Sequence, residues 1–598
     1  MVANIEDVAD KSFDYIVIGG GTSGLCVAAR LSEDPTVSVL VLEAGNANLD
    51  DPLLLRPASY GSHFENPAYD WAFKTTPQKY CNGTQFTWNR GKGLGGSSAI
   101  NFLCWTKPPA AEIDDIERLG NPGWNWKNYE TFSHRTETCI YPSEEVIKKH
   151  GLRIEDWKNG TEGPLLTSFP AKINAAELDI QQTLINRGLP LAKKPLGGDP
   201  LGVFFGTNTV DPKTSTRTYA TTAFYLPNVN RPNFTVLVQA PVNRLLTTKD
   251  SNGLVIAVGV EFRHNGRDYS VRPNKEVVLC AGGLKSSQIL ELSGFGNPQL
   301  LKSLDIPVVL PLSTIGENVQ EHIFTGVTWE LREDASFDTL DVLRDPKIAA
   351  EHVELHAKGE GLFTMGLCGF AFVPLQMLSK RADDIHKAAR DKIEKNAAKY
   401  PSGLLEQYRI QLERLERGAP GCEYITFPGF LSQPNPPKPG KKYLTMLVLT
   451  NHLFSRGTIH VKSKNPEDDP EFDPHYFEEE IDRDTFVEIV KFAKGLAQTA
   501  PFKDLVAQEV NPGPEVTTDE QIADWLKSYM TTTYHTIGSC SMLPKDKGGV
   551  VDSKLKVYGT TNVRVADLSV IPLHFAAHPQ ATAYAIGEQA ADIIKGVL

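Results

Sequence analysis

The sequence has no concentrated basic region of the kind that binds nucleic acid. Its 61 Lys and Arg residues are outnumbered by 73 Asp and Glu residues, which gives a formal net charge of −12. Since binding to a phosphate backbone requires clustered positive charge, no nucleic-acid partner is expected. The composition, 41% hydrophobic and 22% charged, is ordinary for a globular protein and excludes a disordered or collagen-like chain.

Long apolar runs are also missing. No segment approaches the ~18 apolar residues that span a bilayer, so no membrane partner is expected. The N-terminal residues lack the basic region followed by an apolar one that a secretory signal would have. We therefore predict a cytoplasmic protein, while a secreted protein trimmed of its signal would look the same. In the cytoplasmic interpretation, the N-x-S/T sequons at Asn82, Asn159 and Asn233 are chance matches.

Cysteines are few, and their spacing is not that of a paired framework. The eight cysteines are spread from Cys26 to Cys540 without a C-x-x-C pair. Metal sites and disulfide frameworks need close, paired spacings. The sequence therefore predicts buried free thiols and no metal site.

Glycine, in contrast, is concentrated at informative places. Residues 13–24 read FDYIVIGGGTSG. The run 15–18 is typical of a buried parallel strand, and residues 25–33 suit a helix packed on a sheet. A second predicted strand, 37–42, ends at Glu43. The order of strand, glycine turn, helix, strand and acidic residue predicts a dinucleotide-binding unit.

Each glycine of the turn Gly19-x-Gly21-x-x-Gly24 has its own physical role. Gly19 allows the tight turn, Gly21 lets the backbone approach a pyrophosphate, and Gly24 allows close helix–strand packing. The helix N-terminus then faces the phosphates, and Glu43 accepts hydrogen bonds from a ribose hydroxyl. An acidic residue here disfavours the 2′-phosphate of NADP, so FAD and NAD remain as alternatives at this point.

Three further motifs point to one family. Residues 89–101 read NRGKGLGGSSAIN, residues 281–296 read AGGLKSSQILELSGFG, and residues 315–322 read IGENVQEH. Together with the N-terminal turn, they resemble the glucose–methanol–choline (GMC) family of FAD-dependent oxidoreductases, and the resemblance spans nearly the whole chain. Gly283 and Phe295 depart from the residues usual in the family, but only near a turn.

This resemblance implies a fold and a cofactor. The expected fold is α/β (α+β overall), with a Rossmann-like FAD-binding domain interleaved with a substrate-binding domain built on an antiparallel sheet with helices. FAD is expected to be non-covalent, because Ile100 stands where some relatives carry the histidine that attaches the flavin. The expected FAD-binding domain comprises residues 1–165, 215–325 and 525–598, and the substrate-binding domain comprises 166–214 and 326–524.

The resemblance also implies a catalytic pair. His535 lies in TYHTIGSCSM and His578 lies in FAAHPQ, and both side chains are expected to face the flavin. Moving a hydride from an alcohol carbon requires loss of the hydroxyl proton, which a neutral imidazole accepts near pH 7. His535 is the predicted base, and His578 is predicted to hydrogen-bond the alkoxide oxygen and fix its orientation.

The other predicted cofactor contacts come from the glycine motifs and the C-terminal segment. The loop 91–97 offers many backbone N–H groups and little side-chain bulk, which suits an anionic, planar cofactor. Val242 belongs to a strand-like segment, 234–246; for it and for Asp567, a core valine and a helix-capping aspartate are the alternatives. The predicted cofactor-binding residues are Gly19, Gly21, Thr22, Ser23, Gly24, Glu43, Ala44, Trp88, Arg90, Gly91, Gly95, Gly96, Ser97, Asn101, Val242, Ala566, Asp567, Pro579 and Gln580.

A charged stretch, residues 379–418, has the period of a helix. We interpret it as a solvated helical face of the substrate-binding domain, and a lid or a partner surface is the alternative. An ion pair between Glu406 and Arg409 is expected to support the helix.

The sequence thus predicts an alcohol oxidase of the aryl-alcohol oxidase-like branch. The predicted reaction converts a primary alcohol, aromatic or allylic, to the aldehyde by hydride transfer to flavin N5, with O2 reoxidising the flavin to give H2O2. Two alternatives stay open: a dehydrogenase of the same fold with a quinone-type acceptor, and a non-redox lyase or cyclase. The predicted pocket walls are Phe102, Phe370, Phe454, Tyr534 and Phe575.

Overall fold

The computed structural model describes residues 2–59, 61–150, 154, 159–170 and 173–598. Among the helices of these residues, none is both long enough and apolar enough to cross a bilayer. The α-helices in the described ranges are α1 Thr22–Leu31, α2 Pro52–Leu55, α3 Ala110–Arg118, α4 Trp126–Thr136, α5 Glu144–His150, α6 Ala175–Asn186, α7 Gly282–Leu292, α8 Pro298–Ser303, α9 Pro346–His356, α10 Ala382–Lys395, α11 Ser402–Glu416, α12 Glu480–Lys494, α13 Asp519–Tyr529 and α14 Gln580–Lys595.

The first large sheet has a parallel centre. Strand Ser12–Ile18 pairs in parallel with Val39–Leu42 on one side and with Arg267–Leu279 on the other. Phe234–Leu237 extends the sheet beyond Val39–Leu42, and Val563–Val565 pairs with Arg267–Leu279. Helices α1 and α14 pack against each other and share the core of this sheet. One sheet therefore joins the N-terminal, central and C-terminal parts of the chain, as an interleaved fold requires.

The segment 234–246 is two strands rather than the single one predicted. Phe234–Leu237 belongs to the parallel centre, whereas Val242–Lys249 pairs in antiparallel fashion with Val255–His264. The backbone changes direction between them, where Gln239 has a φ of +52°. A positive φ does not fit an extended strand, so the break is a local backbone effect that apolar periodicity does not reveal.

The second large sheet is antiparallel. Ile323–Leu331 pairs with Tyr443–Thr450 and Val506–Asn511, and Cys422–Phe427 lies between Tyr443–Thr450 and Gly369–Val373. Strand Tyr443–Thr450 is buried on both faces, because α12 packs against it and alternate residues face an internal cavity. The two sheets together confirm the expected α/β (α+β) fold class.

Shorter strands complete the structure. Gly202–Phe205 and Thr531–Thr532 lie at the edges of the antiparallel sheet. The remaining strands of the described residues are Phe73–Lys74 with Thr87–Trp88, Val210–Asp211 with Thr216–Arg217, Phe295–Gly296 with Leu310–Pro311, Thr458–His460 with Glu471–Asp473, and a four-stranded group of Cys104–Trp105, Glu137–Ile140, Leu165–Ser168 and Thr207–Asn208.

Each large sheet has its own hydrophobic core. One core surrounds the parallel strands with α1 and α14, and the other packs the antiparallel sheet against α10, α12 and α13. The eight cysteines are all buried and free. The antiparallel sheet, which the second core supports, forms one wall of the internal cavity.

The charged stretch 379–418 forms α10 and α11, which lie side by side. Arg409 pairs with Glu394 of α10 at 3.2 Å, and Glu406 pairs with Lys547 at 2.6 Å. The expected Glu406–Arg409 pair is therefore wrong, because helix packing offers each side chain a carboxylate or ammonium from another element.

Candidate active site

A cavity of about 740 Å³ lies between the N-terminus of α14 and the antiparallel sheet. Segments far apart in sequence meet there, including both glycine motifs and both C-terminal histidine motifs. The fold therefore brings together motifs that the sequence places more than 500 residues apart. The predicted site residues that line the cavity are Thr22, Ser97, Asn101, His535, His578, Pro579 and Gln580.

The first glycine turn leaves open space at one position. A Cβ added at Gly24 would lie 2.0 Å from the Gly19 carbonyl oxygen. At Gly19, where φ is +104°, an added Cβ would lie 2.5 Å from the Cys280 carbonyl oxygen. At Gly21, however, the nearest atom would be the Gly96 Cα, 3.7 Å away. Packing within the protein explains Gly19 and Gly24, whereas the bare backbone at Gly21 fits a ligand that approaches it closely.

The second glycine loop packs on the first. A Cβ added at Gly96 would lie 2.8 Å from the Gly21 Cα, and one at Gly95 would lie 2.5 Å from the Tyr219 ring. Only glycine permits this approach. The predicted cofactor residues that lie at these loops and outside the cavity lining are Gly19, Gly21, Ser23, Gly24, Glu43, Ala44, Gly91, Gly95 and Gly96.

Glu43 links the two glycine loops. Its carboxylate accepts hydrogen bonds from the backbone N–H groups of Gly20 and Gly45, each at 2.8 Å, and of Gly93 at 3.1 Å. Burial raises the pKa of Glu43, against the opposing effect of these hydrogen bonds. The side chain predicted to contact a ribose is therefore held in one position by the protein itself.

Arg90 lies behind the turn that carries His535. Its guanidinium contacts the Thr536 hydroxyl and lies 3.5 Å from the buried Glu321 carboxylate. Glu321 in turn accepts a hydrogen bond from the backbone N–H of His535. In the structure Arg90 thus supports the turn, and it lies outside the cavity lining.

Other predicted cofactor contacts also lie outside the cavity lining. Trp88 is fully buried in the core of the antiparallel sheet. The Asp567 carboxylate accepts hydrogen bonds from the backbone N–H groups of Gly282, at 2.9 Å, and Ser569, at 2.8 Å, so it caps a short 3₁₀-helix. The predicted residues in this group are Trp88, Val242, Ala566 and Asp567.

His535 lies on a turn with an unusual backbone. The preceding residue, Tyr534, has a φ of +66°, which is uncommon for a residue other than glycine and occurs preferentially at functional sites. The Nδ1 of His535 lies 3.0 Å from the Nδ1 of His322. Burial and the neighbouring His578 lower the pKa of His535 well below its usual value. The ring is therefore neutral at pH 7 and able to accept a proton.

His578 has the opposite electrostatic environment. Its Nε2 lies 2.8 Å from Oε1 of Glu423, and the other Glu423 oxygen accepts a hydrogen bond from Asn451 at 2.9 Å. Burial alone would lower the pKa of His578, but the Glu423 carboxylate and the neighbouring Cys104 side chain outweigh it and raise the pKa to about 10. The ring is thus positively charged at pH 7. Its Nδ1 has no hydrogen-bond partner among the described residues, which leaves a donor for a ligand.

Two further histidines stand behind this pair. The His322 and His574 rings stack with their centroids 3.5 Å apart. Burial lowers the pKa of His322 well below its usual value and that of His574 to about 3, so both rings are neutral. Among the described residues, no group of three or more His, Cys, Asp or Glu side chains is arranged to hold a metal ion. The four-histidine group therefore carries a single positive charge, on His578.

The N-terminus of α14 completes the cavity. Pro579 is its N-cap and Gln580 its first residue, and both line the cavity. The side-chain nitrogen and oxygen of Gln580 are buried without a hydrogen-bond partner among the described residues. A helix N-terminus favours negative charge. The cavity therefore offers unpaired polar groups and a positive helix end, which fit the flavin end of FAD.

Comparison with known proteins identifies the family. Models described as GMC oxidoreductase match residues 13–324 and 454–587. The chain belongs to the GMC oxidoreductase family. Dehydrogenase mpl7 of Monascus purpureus is 32% identical over 622 residues, which covers 98% of this chain and 97% of that relative.

Solved structures share the same fold over the whole chain. An FAD-dependent oxidoreductase from Chaetomium thermophilum has a TM-score of 0.89 and 29% identity, covering 98% of this chain and 99% of that one. A fungal aryl-alcohol oxidase has a TM-score of 0.85 and 28% identity, with the same coverage. The resemblance inferred from the motifs is confirmed: this is a GMC oxidoreductase of an FAD-dependent family that uses a small substrate and an electron acceptor.

The walls of the cavity in this GMC oxidoreductase combine aromatic and aliphatic side chains with uncharged polar ones. Phe64 makes edge contacts with Phe102, at 6.1 Å, and with Tyr534, at 5.3 Å between ring centroids. Aliphatic side chains of the antiparallel sheet, among them Ile425 and Leu447, face these rings across the cavity. Of the five predicted wall residues, Phe102 and Tyr534 line the cavity, and those outside its lining are Phe370, Phe454 and Phe575.

Sequence reasoning missed several residues of the GMC site. Glu423, which charges His578, was not singled out, although a carboxylate inside the apolar strand CEYITF is itself a signal. His322 lies in the quoted motif IGENVQEH, but no role was predicted for it. Phe64 lies outside all of the quoted motifs. Its place in the site depends on chain folding between elements, which local spacing does not report.

Proposed function

We propose that this protein oxidises a primary alcohol to the aldehyde, with O2 as the electron acceptor and H2O2 as the second product. The observation that carries the proposal is the pair of histidines in one cavity, of which His535 is neutral and His578 is positively charged. Titratable groups whose pKa values are pushed apart identify base and acid in a site.

Each histidine has a distinct role in this proposal. The neutral His535 takes the proton of the substrate hydroxyl, and the charged His578 donates a hydrogen bond to the same oxygen as it becomes negative. FAD, when bound, supplies the acceptor for the hydride that leaves the alcohol carbon. The residues that hold it are the two glycine loops, with Thr22, Ser97, Asn101 and the N-terminus of α14.

The aromatic side chains in the cavity walls support an aromatic or allylic substrate. Glu65 is the one carboxylate among the described residues that line the cavity, and no lysine or arginine lines it. A negatively charged substrate would therefore meet no lysine or arginine in this lining. The rings of Phe64, Phe102 and Tyr534 offer faces and edges that suit a planar substrate. The likeness to an aryl-alcohol oxidase agrees with this substrate class.

The charge on His578 favours oxygen as the acceptor. A fixed positive charge in the cavity stabilises negative charge that develops when O2 accepts electrons. The second candidate is a dehydrogenase that passes electrons to a quinone-type acceptor, and the similarity to dehydrogenase mpl7 favours it. The two candidates share the reductive step and differ only in what reoxidises the enzyme.

We further propose that FAD is bound without a covalent link and that residues 1–165, 215–325 and 525–598 form its domain. Ile100 lines the cavity and has no nucleophilic atom. Release of all flavin on acid denaturation would support the non-covalent proposal, and flavin retained on the denatured chain would refute it. The cytoplasmic location stays a prediction.

The decisive experiment is anaerobic mixing of the FAD-loaded protein with a panel of alcohols, followed by air. We expect benzylic and allylic alcohols to bleach the flavin absorbance, and air to restore it with one H2O2 per aldehyde. Bleaching that air does not reverse, while a quinone does, would favour the dehydrogenase. Turnover of a substrate without bleaching would replace both candidates with a non-redox reaction.

A further inference from the structure

One arginine of the charged stretch points inward. Arg414 lies on α11, and its side chain is fully buried, whereas Arg409 on the same helix has a side chain that is 53% exposed. The Nε of Arg414 donates to the Asp115 carboxylate on α3 at 2.8 Å. Its Nη2 donates to the Glu112 carbonyl at 3.1 Å. A guanidinium buried this deeply is retained only where several acceptors meet it.

The third group that Arg414 contacts belongs to the active-site turn. Its Nη1 donates to the backbone carbonyl of His574. Two residues further on, the N–H of Ala576 donates to the Glu112 carboxylate at 2.8 Å. The N–H of His578 then donates to the Thr106 hydroxyl, also at 2.8 Å. The segment 574–578 is thus tied to the protein along its length, and Arg414 holds the backbone carbonyl of its first residue.

The same turn also reaches the other catalytic candidate. The Nε2 of His574 lies 2.8 Å from the backbone carbonyl of His535 and donates to it, so His574 connects the two histidine segments. Its backbone N–H donates to the Gln320 side chain at 3.0 Å. A displacement of the His574 backbone would therefore move both His535 and His578.

The electrostatics of α3 show that the guanidinium is needed where it lies. Burial alone would raise the pKa of Asp115, but Arg414 and Arg417 hold it below its usual value. Burial would likewise raise the pKa of Glu112, which His452 and Arg414 hold below its usual value. Without Arg414, the buried Asp115 carboxylate and the backbone carbonyls of Glu112 and His574 would lose a donor.

We propose that Arg414 is a positioning residue of the active site, which ties α11 and α3 to the His574 carbonyl and so fixes the turn that presents His578. In this view the charged stretch 379–418 serves the site from its buried side, through one arginine. The kinetic part of this inference rests on the proposed alcohol oxidation. The structural part does not, because the placement of the turn can be measured without a substrate.

The test compares Arg414→Met with two matched variants. Arg409→Met removes an exposed arginine from the same helix. Arg417→Met removes a different guanidinium from Asp115, which Arg417 contacts at 2.8 Å. Arg414→Lys keeps the charge but cannot reach three acceptors at once. If Arg414→Met gives no folded protein, Arg414→Lys carries the same comparison.

The first readout is amide hydrogen exchange, followed by mass spectrometry on the FAD-loaded protein. We expect at least tenfold faster exchange of the peptide that contains residues 574–578 in Arg414→Met, with the parallel sheet unchanged. Arg409→Met and Arg417→Met should leave this peptide as protected as in the parent. Equal protection in Arg414→Met and the parent, or equal loss in all three variants, would overturn the proposal.

The second readout is the rate of anaerobic flavin reduction at saturating alcohol. A displacement of ~1 Å in a catalytic group costs on the order of 100-fold in rate, so Arg414→Met should lose about that factor, with Arg414→Lys in between. In the background of His578→Asn, the same change should cost less, because the part of the loss that acts through His578 is already gone. Equal losses in both backgrounds would show that Arg414 does not act through His578 and would overturn the proposal. If no alcohol reduces the parent, the proposed function fails, while the exchange result still decides the role of Arg414.

Discussion

The ring centroids of His535 and His578 lie 5.4 Å apart, and the surroundings of the two rings shift their pKa values in opposite directions. His535 is buried and lies near the positively charged His578, and both effects lower its pKa well below the usual value. His578 gains the Glu423 carboxylate at 2.8 Å, which raises its pKa to about 10. Two identical side chains are thereby assigned different tasks, one as proton acceptor and one as a charged hydrogen-bond donor.

These pKa shifts predict the pH dependence of flavin reduction. His535 is active when deprotonated, so the rate should rise with pH through a value well below 6.5. His578 is active when protonated, so the rate should fall as pH rises through about 10. The limiting rate of anaerobic reduction, measured from pH 5 to pH 11, should show a broad plateau between these limits. A rising limb with its midpoint between pH 6.5 and 8 would contradict the assignment of His535, and a falling limb there would contradict that of His578.

Substitution of Glu423, the carboxylate partner of His578, should change the pH profile of flavin reduction. In Glu423→Gln the buried His578 loses the carboxylate that does most to hold its proton, so burial should lower its pKa from about 10. We expect the loss of rate at high pH to shift from about 10 to lower pH. The low-pH limb should move up, because His578 no longer carries the charge that helps to lower the pKa of His535. The pH profile of the limiting reduction rate measures this.

Glu291→Gln is the matched control for that prediction. Glu291 lies 2.8 Å from Nδ1 of His460, whose pKa it helps to raise to about 10, and neither residue lines the cavity. In both Glu–His pairs the pKa of the histidine is higher in the folded protein than in the unfolded chain. The contribution of each pair to the free energy of unfolding is therefore complete below pH 6.5 and is lost as pH rises through about 10. Both variants should therefore be less stable to urea at pH 7. A shifted reduction profile in Glu291→Gln would mean that the profile reports general stability.

His535→Ala should abolish the proton transfer while leaving the cofactor bound. General-base catalysis contributes about 10²–10⁴-fold, so the limiting reduction rate should fall by that factor. The flavin content and melting temperature should stay near those of the parent, because the contacts of the glycine loops are untouched. A variant that reduces flavin at close to the parent rate would remove His535 from the role of base.

Local motifs were enough to predict much of this fold and part of the site. The strand before Gly19, helix α1 after it and the acidic end at Glu43 follow from short-range patterns, and the structure has all three. The two histidines of the C-terminal motifs do meet in one cavity. These features could be predicted because each depends on residues that are neighbours in sequence.

The remaining part of the site depends on pairing between distant segments. Glu423 meets His578 because strand Cys422–Phe427 lies inside the antiparallel sheet, and nothing near either residue in sequence encodes that contact. The inward direction of Arg414 was missed for a similar reason. The charge pattern and the helical periodicity of the sequence place Arg414 on a helix. Only its contact with Asp115 of α3 shows that Arg414 is the buried arginine of the charged stretch.

The aromatic wall should decide substrate preference. Phe64→Ala removes a ring that contacts Phe102 and Tyr534, and such contacts are worth ~0.5–1.5 kcal/mol beyond area burial. We expect kcat/KM for a benzylic alcohol to fall about tenfold, while that for a small aliphatic alcohol stays nearly constant. Phe363→Ala, which removes a half-buried ring outside the cavity lining, should leave both unchanged. Equal losses for both alcohols in Phe64→Ala would show that the ring supports the fold rather than the substrate.

Because there is open space at Gly21, a substitution there can test FAD binding without disturbing the fold. In Gly21→Ala the new methyl group would have its nearest neighbour at 3.7 Å, an ordinary contact, so the protein without cofactor should keep its melting temperature. FAD affinity should fall at least tenfold if the pyrophosphate lies against this backbone.

Gly24→Ala, with its Cβ 2.0 Å from a carbonyl oxygen, should instead destabilise the cofactor-free protein itself. Gly197→Ala, whose Cβ would approach Lys194 at an ordinary 3.4 Å outside the cavity lining, should change neither quantity. Flavin titration and thermal unfolding of the three cofactor-free variants measure both effects. Normal FAD binding by Gly21→Ala would place the pyrophosphate elsewhere and remove the physical reason given for this glycine.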